Sequence, residues 1–464
     1  MLTYSFEQKG NESLYEYLYK LIKTDIINGT LRPGEKLPSK RALAKNLSVS
    51  TITVENSYTQ LCAEGYIYSV PKSGFYVSDI TSRKPISAEK PVRAAAFQTK
   101  TPEYFADFVN NSISTDTFPF TTWTKLLRET MSDYANKLMV RSPSAGILEL
   151  RTAIADYLYQ FRGMLIDPEQ IIIGAGTEYL YSLIIQLLGR DKKYAVENPG
   201  YQKIIKIYQA NNVSCVPIPL DKKGIIIEDL QKSNADILHI SPTHHFPTGI
   251  VTPISRRYEL LTWASGSDSR YIIEDDYDSE FRLQGKPIPS LQSIDASEKV
   301  IYINTFSKSL TATIRISYMV LPKSLIARYH QELGFYSCTV SNFEQYTLAS
   351  FIEKGYLEKH INRMRNYYRS LRDTILNCIK NQPGFSKTAI LEEDAGLHFL
   401  LKVDTKLSDE ELIAKAAEKG IHISCLSQYY NQKNINDTHT LIINYSGINI
   451  QIVDEAITRL FEII

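Results

Sequence analysis

Residues 300–310 read VIYINTFSKSL, an apolar run that leads into a lysine between two serines. The run 300–304 is rich in β-branched and aromatic residues, which predicts a buried strand. Lys308 follows this strand closely, and a charge is unusual there unless it carries chemistry. Arg315 comes seven positions later. The stretch therefore predicts a reactive lysine beside an anion-binding group, at the end of a strand.

Short apolar strands alternate with long helical stretches from about residue 113 onward. The candidate strands are 170–173, 194–196, 237–240, 271–273, 300–303 and 317–321. This alternation favours an α/β domain with a largely parallel sheet. Residues 80–112 have little periodicity, two prolines within 80–93 and scattered charge, which indicates a linker. The predicted parts are an N-terminal unit at 1–79, the linker at 80–112 and the α/β domain at 113–464.

The 464 residues include 52 Lys and Arg against 51 Asp and Glu, a net charge of +1. Contacts with a polyanion must therefore come from local charge. Five scattered cysteines form no CxxC pair, which favours reduced thiols over disulfides, and we predict no metal site. No apolar run approaches membrane-spanning length and the N-terminus lacks a signal core, so we expect a soluble cytoplasmic protein.

The first 79 residues predict three helices and a hairpin. Apolar residues at helical spacing mark the first helix, and Gly29 closes it. Ser39 and Ser50 are suited to cap the second and third helices. Residues 66–70 and 74–77 alternate like two short strands. This order is typical of a winged helix-turn-helix, whose third helix enters the major groove of DNA.

Basic and short polar side chains lie where such a unit meets DNA. Basic residues between Lys36 and Ser50 occur without an acidic one and suit phosphate contacts. For these residues alone, the alternative is a solvated helix face. Polar residues of the third helix could reach base edges, and a lysine marks the tip of the wing. The predicted DNA contacts are Lys36, Lys40, Arg41, Ser50, Thr51, Thr53, Asn56, Lys72 and Gly74.

The α/β domain offers the groups that pyridoxal 5′-phosphate (PLP) needs from a protein. Lys308 could form the Schiff base, Asp275 could pair with the pyridine nitrogen, and Tyr277 could donate to the phenolic oxygen. Each of these residues alone is more often a cap, a turn residue or a surface group; their combination favours a cofactor site. A glycine-rich turn that opens a helix could help to hold the phosphate. The predicted phosphate-binding residues are Gly176, Thr177, Glu178, Thr305, Ser307 and Arg315.

Both parts of the chain also carry family motifs. LPSKRALA at 37–44, VSTITV at 49–54 and LCAEGYI at 61–67 closely resemble the GntR family of bacterial transcription regulators. The combination with the second part resembles the MocR/GabR-type subfamily, in which a GntR head is fused to a fold type I aminotransferase-like domain. The motifs of that second part are NPGY at 198–201, PTG at 247–249, EDDYDSE at 274–280 and FSKS at 306–309.

The resemblance implies a PLP-binding transcription regulator that senses PLP, or an amine or amino acid that forms an aldimine on it. It places Tyr201 against the cofactor. It places Lys203 where a GABA-responsive member has an arginine for the ligand carboxylate. It further implies a homodimer, with heads exchanged head to tail, on two half-sites of double-stranded operator DNA.

The chain also departs from the family pattern. Thr51 stands where the family often has an arginine, and His245 belongs to a His-Phe-Pro that replaces the Asn-Pro of aminotransferases. No arginine lies between Arg372 and Arg459, where relatives hold a substrate carboxylate. Lysine and histidine cannot reproduce the two parallel hydrogen bonds of a guanidinium. We therefore expect a sensor rather than an enzyme. The alternatives are a functional aminotransferase with an accessory DNA-binding head, and a degenerate domain kept for dimerisation.

Overall fold

The computed structural model describes residues 2–6, 9–80, 103–110, 117–283, 288–394, 396–431 and 436–464. Two compact units divide the chain, Met1–Thr101 and Pro102–Ile464. The helices are α1 Leu14–Ile27, α2 Lys40–Leu47, α3 Thr51–Ala63, α4 Phe120–Asp133, α5 Ala135–Leu138, α6 Leu148–Arg162, α7 Thr177–Leu188, α8 Gln202–Ala210, α9 Ile227–Lys232, α10 Ile254–Ser265, α11 Lys323–Leu333, α12 Asn342–Glu353, α13 Tyr356–Lys380, α14 Asp409–Glu418 and α15 Val453–Phe461. Within the described ranges, none of these helices is both long and apolar enough to cross a lipid bilayer.

The strands fall into one large sheet, one small antiparallel sheet and two short pairs. They are β1 Ile67–Val70, β2 Gly74–Val77, β3 Ala106–Asp107, β4 Ile171–Gly174, β5 Lys193–Asn198, β6 Ser214–Asp221, β7 Gly224–Ile225, β8 Ile237–Ile240, β9 Tyr271–Asp275, β10 Val300–Thr305, β11 Ser317–Val320, β12 Thr388–Leu391, β13 His398–Val403, β14 Ile421–His422, β15 Ser424–Cys425 and β16 Thr440–Asn444.

The first unit is a three-helix head with a two-stranded wing. A serine caps each helix: the Ser13, Ser39 and Ser50 side chains accept hydrogen bonds from backbone N–H groups of the first turn. Strands β1 and β2 pair antiparallel. The helices pack on a core of Leu18, Ile22, Ile26, Leu43, Val54, Tyr58, Leu61, Ile67 and Val77. The predicted winged helix-turn-helix is confirmed.

The second unit is built on an eight-stranded sheet of order β4-β11-β10-β9-β8-β5-β6-β7. Strands β6, β5, β8, β9 and β10 run parallel, whereas β11 is antiparallel to both of its neighbours. Strands β4, β8 and β10 are buried along their whole length, as expected for a parallel sheet covered on both faces. The predicted α/β domain with a largely parallel sheet is confirmed, and each predicted strand is present.

Strand β6 is not among the predicted strands, because it contains Pro217 and Pro219. A proline lacks the N–H that a ladder needs, so two of them argue against a strand. Here β6 pairs with β5 over six residues, and with β7 only at its last two. Long-range pairing with β5 therefore outweighs the local signal.

A smaller antiparallel sheet, of order β12-β13-β16-β15, completes the second unit. Its core includes residues of α13 and α15 and also Phe108. Of the range predicted as a linker, 81–102 and 111–112 lie outside the described residues. Within its described part, β3 pairs parallel with β14, and Ala106 and Phe108 are buried. The range 80–112 therefore contains a segment that packs in the second unit.

Candidate functional site

A cavity of about 280 Å³ opens at the edge of the large sheet where β4, β5, β8, β9 and β10 end. Parallel strands direct their carboxyl ends to one edge, where open α/β sheets bind ligands. Each of these strands is followed by a loop that contributes to the wall. Predicted residues that line the cavity are Thr177, Glu178, Tyr201, Lys203, Asp275, Tyr277, Thr305, Ser307, Lys308 and Arg315.

Lys308 lies in the loop after β10 and is partly buried. Loss of hydration lowers its pKa to about 7, although the negative charge of Asp278 acts in the opposite direction. A lysine with such a pKa holds a large fraction of neutral amine near neutral pH. The neutral amine is the nucleophilic form, and desolvation is a known way to activate it. Lys308 is therefore suited to react with a carbonyl group.

Asp275 ends β9, and one of its oxygens is hydrogen-bonded by a neighbouring side chain. The Tyr181 hydroxyl donates to its Oδ2, and His239 Nε2 lies 3.7 Å from the same oxygen. The other oxygen, Oδ1, is buried and has no hydrogen-bond partner among the described residues. A buried acceptor without a partner is costly. The cavity thus presents an acceptor that a protonated ring nitrogen would satisfy.

Tyr277 lies two residues beyond Asp275 and remains a hydroxyl donor. Burial, and then the negative charges of Asp278 and Asp275, keep the pKa of Tyr277 well above its usual value. Its Oη lies 3.3 Å from His244 Nδ1, which is 2.8 Å from Asp278 Oδ2. The hydroxyl is therefore protonated and held at the cavity wall.

The start of α7 and Arg315 form another part of the cavity wall. Gly176 caps α7 with a φ of 95° and no side-chain hydrogen bond, so the first turn keeps its backbone N–H groups for a ligand. Gly176 is not a lining residue, but a Cβ there would overlap the Arg315 guanidinium. Arg315 itself has a left-handed backbone, with a φ of 51°. The turn and the arginine fit closely because residue 176 is glycine.

Thr305 lines the cavity, but its hydroxyl is engaged within the loop. Its Oγ1 donates to Ser307 Oγ at 2.9 Å and accepts from the Ser307 N–H at 3.1 Å and from Ser317 Oγ at 2.8 Å. These contacts position Ser307 beside Lys308. The geometry thus favours Ser307 over Thr305 as a direct ligand of a phosphate.

Lys203, predicted as an effector contact, lies at the mouth of the cavity and forms an ion pair with Glu178. Glu178 also lies 3.8 Å from Arg315 Nη2 through its other oxygen. The three side chains are each about half exposed. Two cations at the mouth thus share one carboxylate.

Sequence reasoning assigned no role to two buried groups at the cavity, Glu197 in its lining and His245 in contact with Glu197. The Ser241 N–H donates to Glu197 at 2.9 Å, yet burial raises the pKa of this carboxyl to about 8. Burial also lowers the pKa of His245 to about 3. Both shifts favour the uncharged forms of the two side chains, whose closest atoms are 3.5 Å apart. His245 stands in the His-Phe-Pro noted in the sequence, but the burial that it shares with Glu197 appears only in the fold.

His398 is a further residue that was not predicted. It begins β13, is buried, and lies with its ring centroid 4.6 Å from that of His244. Its Nε2 is 3.2 Å from the Pro247 carbonyl oxygen. Burial, and then His244, keep its pKa well below the usual value. The segment between Arg372 and Arg459 thus contains an uncharged imidazole that packs against His244, the contact of Tyr277.

In the head, some predicted DNA contacts are exposed to solvent, and at least one is engaged in an ion pair. Arg41, Thr51, Asn56 and Lys72 are exposed. Lys40 instead forms a 2.7 Å ion pair with Glu55 of α3. Because Glu55 partly neutralises its charge, the Lys40 ammonium is less suited to contact a phosphate.

Two predicted contacts at the start of α3 hold the helix itself. Ser50 Oγ lies 2.8 Å from Thr53 Oγ1 and accepts from the Thr53 N–H. Ile52, which was not predicted, is 68% exposed beside them. The first turn of α3 thus presents a methyl-rich surface of Thr51 and Ile52.

The wing and the segment that precedes α2 hold the remaining predicted contacts. Lys36 is exposed, and its backbone pairs with Tyr76 in the wing. Gly74 begins β2 with a φ of 127°, a left-handed value that favours glycine. Lys72 lies just before it in the turn between the two strands. The wing thus carries one exposed lysine at its tip and a second one beside it.

The fold and the site define a DNA-binding head joined to an aminotransferase-like unit. Residues 14–77 match the family model "Bacterial regulatory proteins, gntR family", and residues 109–460 match "Aminotransferase class I and II". A solved kynurenine aminotransferase from Pyrococcus horikoshii has the same fold, with a TM-score of 0.68 and 25% identity over 78% of this chain and 91% of that one.

Curated relatives share both units. An uncharacterized HTH-type transcriptional regulator, YdeL of Bacillus subtilis, is 40% identical over 96% of each chain. The pyridoxine biosynthesis transcriptional regulator PdxR of Corynebacterium glutamicum is 30% identical over 90% of this chain and 89% of its own. A probable rhizopine catabolism regulatory protein, MocR of Rhizobium meliloti, is 29% identical over 98% and 94%. The chain belongs to the MocR/GabR-type subfamily of GntR transcription regulators.

Proposed function

We propose that this DNA-binding regulator binds PLP in the cavity of its aminotransferase-like unit and senses PLP, or an amine or amino acid that reacts with it. The observation that carries the proposal is that one cavity contains both Lys308, whose pKa is about 7, and Asp275, which has one oxygen without a hydrogen-bond partner among the described residues. The similarity to a regulator named for pyridoxine biosynthesis also supports it.

The cavity residues fit PLP group by group. Asp275 Oδ1 would hold the ring nitrogen, and the Tyr277 hydroxyl would donate to the phenolic oxygen. The phosphate would be held by Ser307, Arg315 and the N-terminal backbone of α7. When bound, PLP supplies an aldehyde that condenses with primary amines. Lys308 would supply the amine, and an exchange of amines there would change the contacts of the ligand with this unit.

A change in ligand contacts matters to DNA only if two states of the protein bind the ligand differently. We infer that the head reads operator DNA through α3 and contacts phosphates through the exposed basic residues. The contacts best placed for phosphates are Lys36, Arg41 and Lys72, which are exposed. Covalent attachment and release at Lys308 would then be the event that shifts the balance between the states.

We also infer a homodimer, from an apolar surface on the second unit. Met139, Val140 and Phe335 are 75%, 64% and 69% exposed. Asn342 donates to the Val140 carbonyl and Arg141 to that of Phe335, so the three lie in one region. Contiguous exposed apolar residues mark protein interfaces. A twofold dimer would present two heads to two half-sites; the head-to-tail exchange remains a prediction.

The proposal is tested with Lys308→Ala and, as a control, Lys323→Ala, an exposed lysine at the start of α11. PLP is added to each protein, borohydride is used to fix any covalent product, and peptide masses locate it. We expect the cofactor on Lys308 in the natural chain and in the control, and none in Lys308→Ala. Binding to an operator selected from random duplexes is then measured with and without PLP. If the PLP response of DNA binding survives Lys308→Ala, the covalent contact is not the switch.

A further inference from the structure

We propose that Glu178 competes with the phosphate of the ligand for Arg315 and so weakens the binding of phosphate monoesters in this cavity. The inference rests on the proposed PLP site and concerns how strongly that site holds its ligand. It assigns Glu178 the role of a negative determinant of affinity, rather than the phosphate-binding role that its position in the turn predicts.

The position of Glu178 carries the proposal. It is the second residue of α7, and its two carboxylate oxygens contact different cations, Lys203 and Arg315. The Lys203 hydrogen bond is the main reason that the pKa of Glu178 lies below its usual value, so the side chain is charged at neutral pH. A negative charge therefore stands beside the arginine that faces the phosphate end of the cavity.

Arg315 lies close to the turn in which any phosphate would compete with Glu178. Its backbone is left-handed, and its guanidinium lies against Gly176, with Nη2 3.4 Å from the Ala175 carbonyl oxygen. The guanidinium thus lies over the turn that opens α7. Any anion bound at this turn must share Arg315 with Glu178, or displace the Glu178 carboxylate toward Lys203.

A weakened site suits a sensor. A binding site responds to its ligand only near the concentration at which it is half filled, so very tight binding would leave it always occupied. A phosphate monoester carries close to two negative charges at neutral pH and is repelled by a nearby carboxylate. Because the side chains are about half exposed, solvent screens this repulsion, and removal of one charge should change affinity by about tenfold.

The test compares Glu178→Gln with the natural chain in equilibrium titrations with PLP and with pyridoxal, which has the same aldehyde but no phosphate. We expect the Kd for PLP to fall about tenfold in Glu178→Gln, and that for pyridoxal to stay unchanged. The difference between the two chains should shrink as salt is added. Glu178→Ala serves as a second variant, in which the Kd for PLP should also fall.

The matched control is Glu129→Gln. Glu129 also bridges two cations, Lys125 and Lys354, on the surface of α4, and it does not line the cavity. Its replacement should leave both affinities unchanged. The inference is overturned if Glu178→Gln binds PLP no more tightly than the natural chain. It is also overturned if the affinity of Glu178→Gln for pyridoxal rises by the same factor as its affinity for PLP. If the natural chain binds neither ligand, the proposed PLP site fails instead.

Discussion

Lys308 determines the chemistry of the site because loss of hydration lowers its pKa to about 7. We predict that its covalent reaction with PLP accelerates with pH, since a pKa near 7 makes the neutral amine scarce at pH 6 and dominant at pH 8. The rate constant should rise about tenfold over that interval, as followed by absorbance in a stopped-flow instrument.

Asp278 supplies the control, because its charge raises the pKa of Lys308 against the effect of burial. Asp278→Asn should therefore move the midpoint of the pH profile to lower pH. A profile that still climbs above pH 9 in the natural chain would contradict the lowered pKa.

Ile52 is a second residue whose surroundings suggest its role. An exposed isoleucine in the first turn of a recognition helix is suited to the 5-methyl group of thymine in the major groove. We predict that Ile52→Ala loses about three- to tenfold in specific affinity, the size of one small apolar contact. The measurement is titration of the selected operator.

A duplex that lacks only the thymine methyl group distinguishes this contact from a general weakening of the protein–DNA interface. Deoxyuridine in place of the contacted thymine removes only the methyl group, so it should weaken the natural chain and leave Ile52→Ala unaffected. Equal losses for the two proteins on that duplex would argue against a contact between Ile52 and the methyl group.

At the scale of the element, the start of α3 shows how a helix end can serve stability rather than recognition. Ser50 accepts from the Thr53 N–H and also contacts the Thr53 hydroxyl. We predict that Ser50→Ala lowers the free energy of unfolding of the head by about 1 kcal/mol, because it leaves that N–H without its cap. The change is measured by denaturant unfolding of the protein, with a signal that reports the unfolding of the head.

Thr59→Ala is the control for this element, since Thr59 is an exposed residue in the interior of α3. Alanine is the better helix former there, so stability should hold or rise slightly. A stability of Ser50→Ala equal to that of the natural chain would show that water replaces the cap without cost.

At the scale of the whole molecule, the apolar region around Val140 and Phe335 is the proposed contact between two copies. We predict that Val140→Glu dissociates the homodimer at micromolar concentration, because burying an unpaired carboxylate at an interface is costly. Light scattering after size-exclusion chromatography reports the mass. Leu391→Glu puts the same charge on the exposed face of β12 and should leave the dimer intact. If both variants remain dimeric, the contact lies elsewhere.

The sequence by itself determined the two kinds of unit and the main residues of the cavity. Lys308 follows one apolar strand and Asp275 ends another. Because parallel strands bring their carboxyl ends to one edge, the local pattern predicted a shared site. Serines in front of α2 and α3 predicted the helix starts for the same local reason.

Only the tertiary structure decided which of these groups are free and which are engaged. Lys40 meets Glu55, Lys203 meets Glu178, and Tyr181 meets Asp275 across 15, 25 and 94 residues of chain. It also decided that β6 forms despite its prolines and that Phe108 is buried in the second unit. The physical reason is that helix periods and caps are set by neighbours in sequence, whereas ion pairs, desolvation and strand partners depend on residues that folding brings together.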